Sequence, residues 1–243
     1  MNDTQELDVV ILAGGFGTRL RELVSDRPKV LAPVNGRPFL LFLLDQLLVS
    51  GINKVILCTG YLGEQLETFL GESYKSLQIL YSSEQIPLGT AGALKQASHL
   101  FCTELVLVMN GDSFVDINCQ EFIAWHRAKN TQFSITITSV EDATGYGLVE
   151  LGPDEKIVSF VEKGDVISTN STLINAGMYL MHKSVIDALP PLLQLSLEEE
   201  VLPAAVETGL FGYRTTGRFI DIGTPRSFLS AAKFFESAHS RVR

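Results

Sequence analysis

The chain has little cysteine and histidine, and neither is spaced to hold a metal. Its three cysteines, Cys58, Cys102 and Cys119, stand far apart and match no zinc or redox pattern. Cys58 sits in the apolar run Val55-Ile56-Leu57-Cys58, the setting of a buried structural thiol. The four histidines, His99, His126, His182 and His239, form no ligand pair. Positive charge is scarce as well: 19 Lys and Arg stand against 28 Asp and Glu, a net charge of -9. That balance argues against a nucleic-acid backbone as the main partner, because such binders are usually basic. No apolar run approaches membrane-spanning length. The opening Met1-Asn2-Asp3-Thr4-Gln5-Glu6 is polar and acidic, unlike a signal peptide. No internal repeat, heptad run, low-complexity linker or hexapeptide repeat is present. These absences lead us to expect a cytoplasmic protein with neither nucleic acid nor membrane as partner.

What the chain does have is material for a sizeable core, with 46% hydrophobic and 19% charged residues. Strands and helices alternate in its first half. Val9–Ala13, Lys54–Thr59, Gln78–Tyr81 and Leu105–Met109 read as strands; Phe39–Ser50, Glu64–Leu70 and Ala91–His99 read as helices. The second half is richer in strands: Ser134–Val140, Leu148–Leu151, Ile157–Val161, Ile174–Met181, Phe211–Thr216 and Phe219–Ile222. A last helix begins at Pro225, with Thr224 as its cap. The order predicts an α/β fold, a Rossmann-like doubly wound sheet that is mixed but mostly parallel, with ligands beyond the strand carboxyl ends. Phe39–Ser50 is apolar nearly all round, so it should lie between the sheet and another layer or subunit.

The first strand runs directly into Gly14-Gly15-Phe16-Gly17-Thr18-Arg19-Leu20, with Arg27-Pro28-Lys29 close behind. Glycines at a strand end let backbone N–H groups close on phosphate oxygens, and Arg19, Arg27 and Lys29 concentrate positive charge there. A Walker A loop would need Gly-Lys-Ser/Thr where Gly17-Thr18-Arg19 stands. A dinucleotide fingerprint starting at Gly15 would need a third glycine where Leu20 stands. The loop, followed by Pro28-Lys29-Val30-Leu31-Ala32-Pro33-Val34-Asn35-Gly36-Arg37-Pro38, instead resembles the signature of the sugar-nucleotide-forming nucleotidyltransferases, the NDP-sugar pyrophosphorylases.

Further blocks continue the resemblance from Leu7 to about Phe235. They are Glu84-Gln85-Ile86-Pro87-Leu88-Gly89-Thr90-Ala91-Gly92, Asn110-Gly111-Asp112, Gly145-Tyr146-Gly147, Phe160-Val161-Glu162-Lys163, Ile174-Asn175-Ala176-Gly177-Met178-Tyr179 and Phe219-Ile220-Asp221-Ile222-Gly223-Thr224-Pro225. Two positions depart from the family pattern: Gly164 replaces a usual proline and Ser25 a usual threonine. The compact length and closing blocks are most similar to the heptose 1-phosphate guanylyltransferase branch. The mannose 1-phosphate guanylyltransferases come next, and uridylyl- and thymidylyltransferases share the outline.

The resemblance implies a nucleotidyltransferase, GT-A-like fold with one domain over residues 7–243 after a flexible tail at 1–6. About 7–115 would bind the nucleotide, and a strand-rich half, about 116–243, the sugar phosphate. An NTP, GTP by preference, and a sugar 1-phosphate would be the partners, with Mg2+ as cofactor and a homo-oligomer as one possible assembly. Arg19, Lys29, Asp112 and Asp221 would be catalytic, and Asp112 and Asp221 would hold the metal. Leu12, Ala13, Gly14, Gly15, Gly17, Thr18, Glu84, Gly89 and Thr90 would bind the nucleotide. Gly147, Glu162, Lys163 and Asn175 would bind the sugar phosphate. Guanine is expected because a carboxylate at Glu84 can accept from its two neighbouring donors at once. Structurally, Thr90 reads as a helix cap. A silent, nucleotide-sugar-sensing relative would typically lack one of Arg19, Lys29, Asp112, Lys163 or Asp221, and all five are here.

Overall fold

The apolar run Asp8–Leu12 becomes a central strand of a large sheet in the computed structural model, which describes residues 7–162, 171–191 and 193–239. The strands of the first half are β1 (Asp8–Leu12), β2 (Pro33–Val34), β3 (Arg37–Pro38), β4 (Lys54–Thr59), β5 (Ser73–Tyr74), β6 (Leu77–Ser83) and β7 (Leu105–Asn110). Four of them, in the order β6, β4, β1, β7, are parallel neighbours. Parallel strands covered on both faces need side chains that tolerate burial everywhere. Val9, Val10, Ile11, Val55, Ile56 and Leu57 are accordingly all fully buried.

The second half adds β8 (Ser113–Val115), β9 (Phe133–Ser139), β10 (Leu148–Leu151), β11 (Ile157–Val161), β12 (Leu173–His182), β13 (Phe211–Arg214) and β14 (Phe219–Asp221). β12 is antiparallel to β7, β9 and β10, so it carries the sheet from its parallel part into an antiparallel one. Its register against β9 shifts between Asn175 and Tyr179, a bulge of the kind that re-aims side chains beside functional sites. Gly177 lies there at φ +77°, and a Cβ on it would come within 2.4 Å of Ser113 Oγ. The mixed, doubly wound sheet read from the sequence is thus present.

Helices α1 (Leu40–Val49), α2 (Gly63–Leu70), α3 (Gly89–Ala97), α4 (Cys119–Lys129), α5 (Lys183–Asp187), α6 (Leu202–Thr208) and α7 (Pro225–His239) cover the sheet. Leu40, Leu43, Leu47, Leu66, Phe122 and Phe235 belong to one apolar cluster. Ala91, Leu94, Ile186 and Leu202 belong to another. The all-round apolar α1 is covered from within the chain: Phe42 stacks on Phe235 of α7 at 3.9 Å, and Phe39 meets the same ring edge-on at 6.1 Å. No helix among the described residues is long and apolar enough to cross a membrane.

The differences from the sequence reading are local. α4 was not anticipated, because its buried stripe is only Cys119, Phe122, Ile123 and His126; Asn118 caps it by accepting from Gln120 and Glu121 N–H. α3 starts at Gly89 rather than Ala91, and Thr90 is not its cap. Thr224 does cap α7, accepting from Ser227 N–H at 3.2 Å. The segment Leu197–Val201 forms a π-helical turn before α6.

Candidate active site

The carboxyl ends of β1, β4 and β7 open on one cleft of about 710 Å³. Leu12, Ala13, Gly14, Gly15, Arg19, Lys29, Glu84, Gly89, Thr90, Asp112, Gly147, Glu162, Asn175 and Asp221 all line it. Gly17 and Thr18 are not among its lining residues. Gly17 acts on the loop instead: at φ +59° it packs over Lys29, whose Cβ lies 3.3 Å from where a Cβ on Gly17 would be. Lys163 lies outside the described residues.

A small ribbon brings two aspartates to the cleft. β14 pairs antiparallel with β8, setting Asp221 opposite Ser113, and Ile222 N–H donates to the Asp112 carbonyl at 2.8 Å. Lys29 Nζ donates to Asp112 Oδ2. Asp221 Oδ1 accepts from Gly223 N–H at 2.7 Å and from Ser227 Oγ at 3.1 Å, and its Oδ2 accepts from the Tyr146 hydroxyl. Burial, and then Asp221 itself, push the Tyr146 hydroxyl well above the usual range for a phenol. The Arg19 guanidinium approaches the same turn, within 3.8 Å of a Cβ placed on Gly223. Among the described residues no three His, Cys, Asp or Glu side chains group as a metal cage. The carboxylate oxygens of Asp112 and Asp221 are donors of the kind a hard cation takes.

In the same cleft, Glu84 is half-buried and accepts from Leu88 N–H at 3.0 Å through Oε2. Its Oε1 lies against the backbone, 2.9 Å from a Cβ placed on Gly14 and 2.5 Å from one placed on Gly60. Burial raises the Glu84 carboxyl above the usual carboxylate range, and the Leu88 N–H opposes that shift. Gly89, at φ +71°, lets α3 begin hard against Leu195, whose carbonyl would be 2.5 Å from a Cβ at that position.

The nucleotidyl transferase family profile matches residues 8–238. The chain belongs to the nucleotidyl transferase family. It is 34% identical over 230 residues to a mannose-1-phosphate guanylyltransferase of Mycobacterium tuberculosis, covering 93% of this chain and 64% of that one. It is 33% identical over 228 residues to the D-glycero-alpha-D-manno-heptose 1-phosphate guanylyltransferase of Aneurinibacillus thermoaerophilus, covering 93% of this chain and 97% of that one. The crystal structure of HddC from Yersinia pseudotuberculosis superposes with a TM-score of 0.83 at 32% identity, covering 94% of this chain and 99% of that one. The same protein has been solved complexed with GMP-PN.

In this nucleotidyl transferase the residues expected to seat the sugar also meet. Asn175 N–H donates to the Gly147 carbonyl at 3.0 Å, and Glu162 Oε2 lies 2.9 Å from a Cβ placed on Gly147. Asn175 Nδ2 donates to the Tyr179 hydroxyl at 2.9 Å. That hydroxyl in turn donates to Glu198 Oε1 at 3.1 Å. Glu198 Oε2 accepts from Thr90 Oγ1 at 2.7 Å, and Thr90 Oγ1 accepts from Leu197 N–H at 2.7 Å. Thr90 thus ties the start of α3 to the π-helical turn. Sequence reasoning did not single out Glu198 or the Tyr146 side chain as site residues. Glu198 opens the run Glu198-Glu199-Glu200, and the π-helical turn brings it within hydrogen-bond reach of Thr90, Asn110 and Tyr179.

Proposed function

We propose that the protein transfers GMP from GTP to a sugar 1-phosphate in the cytoplasm, releasing pyrophosphate, with D-glycero-α-D-manno-heptose 1-phosphate as the acceptor and GDP-heptose as the product. The observation that carries this reading is the convergence of Arg19, Lys29, Asp112 and Asp221 on one cleft beyond the strand ends. The guanine and heptose assignments are supported by the name of a relative at 33% identity that matches nearly end to end. The GMP-PN bound by the Yersinia relative supports the nucleotide assignment in the same way.

The chemistry follows from the charges. A phosphate oxygen of the sugar 1-phosphate attacks the α-phosphorus, and the bond from that phosphorus to the bridging oxygen of the β-phosphate breaks. The nucleophile is already an anion, so no general base is required. Catalysis is positioning plus neutralisation of charge. Lys29 and Arg19 would meet the charge that grows on the departing pyrophosphate. Asp112 and Asp221 would hold Mg2+, which when bound neutralises phosphate oxygens and lowers the cost of bringing two anions together. Gly147, Glu162 and Asn175 would seat the sugar, and Lys163 its phosphate.

A second reading, mannose 1-phosphate as acceptor, rests on the 34% identity to the Mycobacterium enzyme, of whose length this chain spans 64%. Pyrophosphate release, measured for GTP, ATP, UTP, CTP and dTTP against both sugar 1-phosphates, tests the proposal. Fastest turnover with GTP and the heptose phosphate is expected. Preference for mannose 1-phosphate would move the assignment to the second reading, and preference for UTP or dTTP would overturn the guanine.

A further inference from the structure

Tyr146 touches β14 twice. Its ring packs on Phe219 with centroids 5.7 Å apart and planes at 72°, and its hydroxyl donates to Asp221 Oδ2. Phe219 and Asp221 are two apart on one strand, so they project from the same face and one side chain can engage both. Asp221 does not need this donor to hold its own turn together, because Oδ1 already accepts from Gly223 N–H and Ser227 Oγ. The Tyr146 bond goes to the other oxygen, and it comes from a different part of the chain, the loop between β9 and β10.

The next residue of that loop faces the other substrate. Gly147 accepts from Asn175 N–H at 3.0 Å through its carbonyl, and Glu162 Oε2 lies against it. One peptide unit therefore separates a contact on the proposed cation carboxylate from a contact in the proposed sugar subsite. A sugar seated against Gly147, Glu162 and Asn175 would restrain the loop, and with it the orientation of the Tyr146 hydroxyl and of Asp221 Oδ2.

We infer that Tyr146 is a positioning residue that couples the sugar subsite to the cation site: seating the sugar 1-phosphate sets Asp221 for the cation. This rests on the assignment of Asp221 and Gly147 proposed above. Coupling of this kind is reciprocal, so a bound cation tightens the sugar phosphate by the same factor. A purely structural role for Tyr146 would reside in the ring packed on Phe219. Tyr146→Phe keeps that ring and removes only the hydroxyl.

The test is Mn2+ binding, followed by electron paramagnetic resonance, on protein saturated with the non-reacting α,β-methylene analogue of GTP. Titrations are run with and without the sugar 1-phosphate, heptose or mannose, that turns over. The wild type is expected to bind Mn2+ about fivefold or more tightly when the sugar phosphate is present, a factor within the ordinary range of site-to-site coupling. Tyr146→Phe is expected to bind Mn2+ in its absence but to lose most of that tightening, and the converse titration should show the same loss. A wild type without tightening, or a Tyr146→Phe variant that keeps it, overturns the inference. Asp221→Asn keeps the two readings apart. If that variant binds Mn2+ as the wild type does, the cation assignment itself is wrong and the coupling falls with it. If it loses Mn2+ while Tyr146→Phe keeps the tightening, only the coupling is wrong.

Discussion

Asp112 and Asp221, far apart in sequence, are held side by side by a two-stranded ribbon outside the main sheet, in which Asp221 pairs with Ser113 and Ile222 N–H bonds the Asp112 carbonyl. The backbone, not the carboxylates, makes this pairing. Asp112→Asn and Asp221→Asn should therefore leave the fold intact and nearly abolish turnover, because each removes one of the two negative charges proposed to hold the cation. Pyrophosphate release and thermal melts check both halves of the statement. Turnover near wild type in either variant, or persisting in excess EDTA, would remove the metal assignment.

Lys29 and Arg19 both approach the two aspartates' turns, Lys29 onto Asp112 and Arg19 toward Gly223. Their charge is needed most when pyrophosphate departs. Lys29→Ala and Arg19→Ala are expected to lower kcat by about 100- to 1000-fold, the loss typical of one donor to a developing charge, with smaller effects on sugar-phosphate KM. Lys163→Ala is expected to raise that KM instead. One shared kinetic pattern for all three would show that the division of roles is wrong.

His126 supplies a pH test of stability away from the cleft. It is 3% exposed on α4 and hydrogen-bonded to Ser134, and burial, with Arg127 and His182 nearby, lowers it to about 4 from an ordinary 6.5. The folded protein thus binds this proton more weakly than the unfolded chain. The stability that follows is fully present above about 6.5 and is lost as pH falls toward 4. A shift of that size corresponds to about 3 kcal/mol once both states are protonated. Urea unfolding of wild type and His126→Gln at pH 7 and pH 4.5 should show a steeper acid loss in the wild type. Equal slopes would remove the histidine as its cause.

The parallel strands β1, β4 and β7 were legible because each carries a continuous apolar run, as in Leu105–Asn110 before Gly111. The basic loop stood out because glycines and arginine at a strand end suit phosphate oxygens, whereas the two aspartates, which at a strand end serve as turn residues just as often, stood out through the family resemblance. What stayed hidden depends on contacts distant in sequence. Glu198 belongs to the cleft only because a π-helical turn meets Thr90, Asn110 and Tyr179. The Tyr146 hydroxyl matters only because β14 lies across from its loop. α4 lacked a long apolar stripe, so periodicity did not reveal it.

Glu84 separates two ways of reading the base. For a carboxylate to take both neighbouring donors of guanine it must present both oxygens, yet Oε2 already accepts from Leu88 N–H and Oε1 is packed against Gly14 and Gly60. In this position Glu84 is bonded to the loop entering α3 and packed against the glycine loop at Gly14 and the end of β4 at Gly60. Its removal should disturb the seat of every nucleotide, whatever its base. Glu84→Ala is therefore expected to lower kcat/KM for GTP, ATP and UTP by similar factors, leaving the order of preference unchanged. Guanine selection would then come from backbone groups near Leu88 and Gly89. Loss of GTP that is tenfold or more greater than the loss of UTP, about 1.4 kcal/mol of discrimination, would return the reading of guanine to the Glu84 carboxylate.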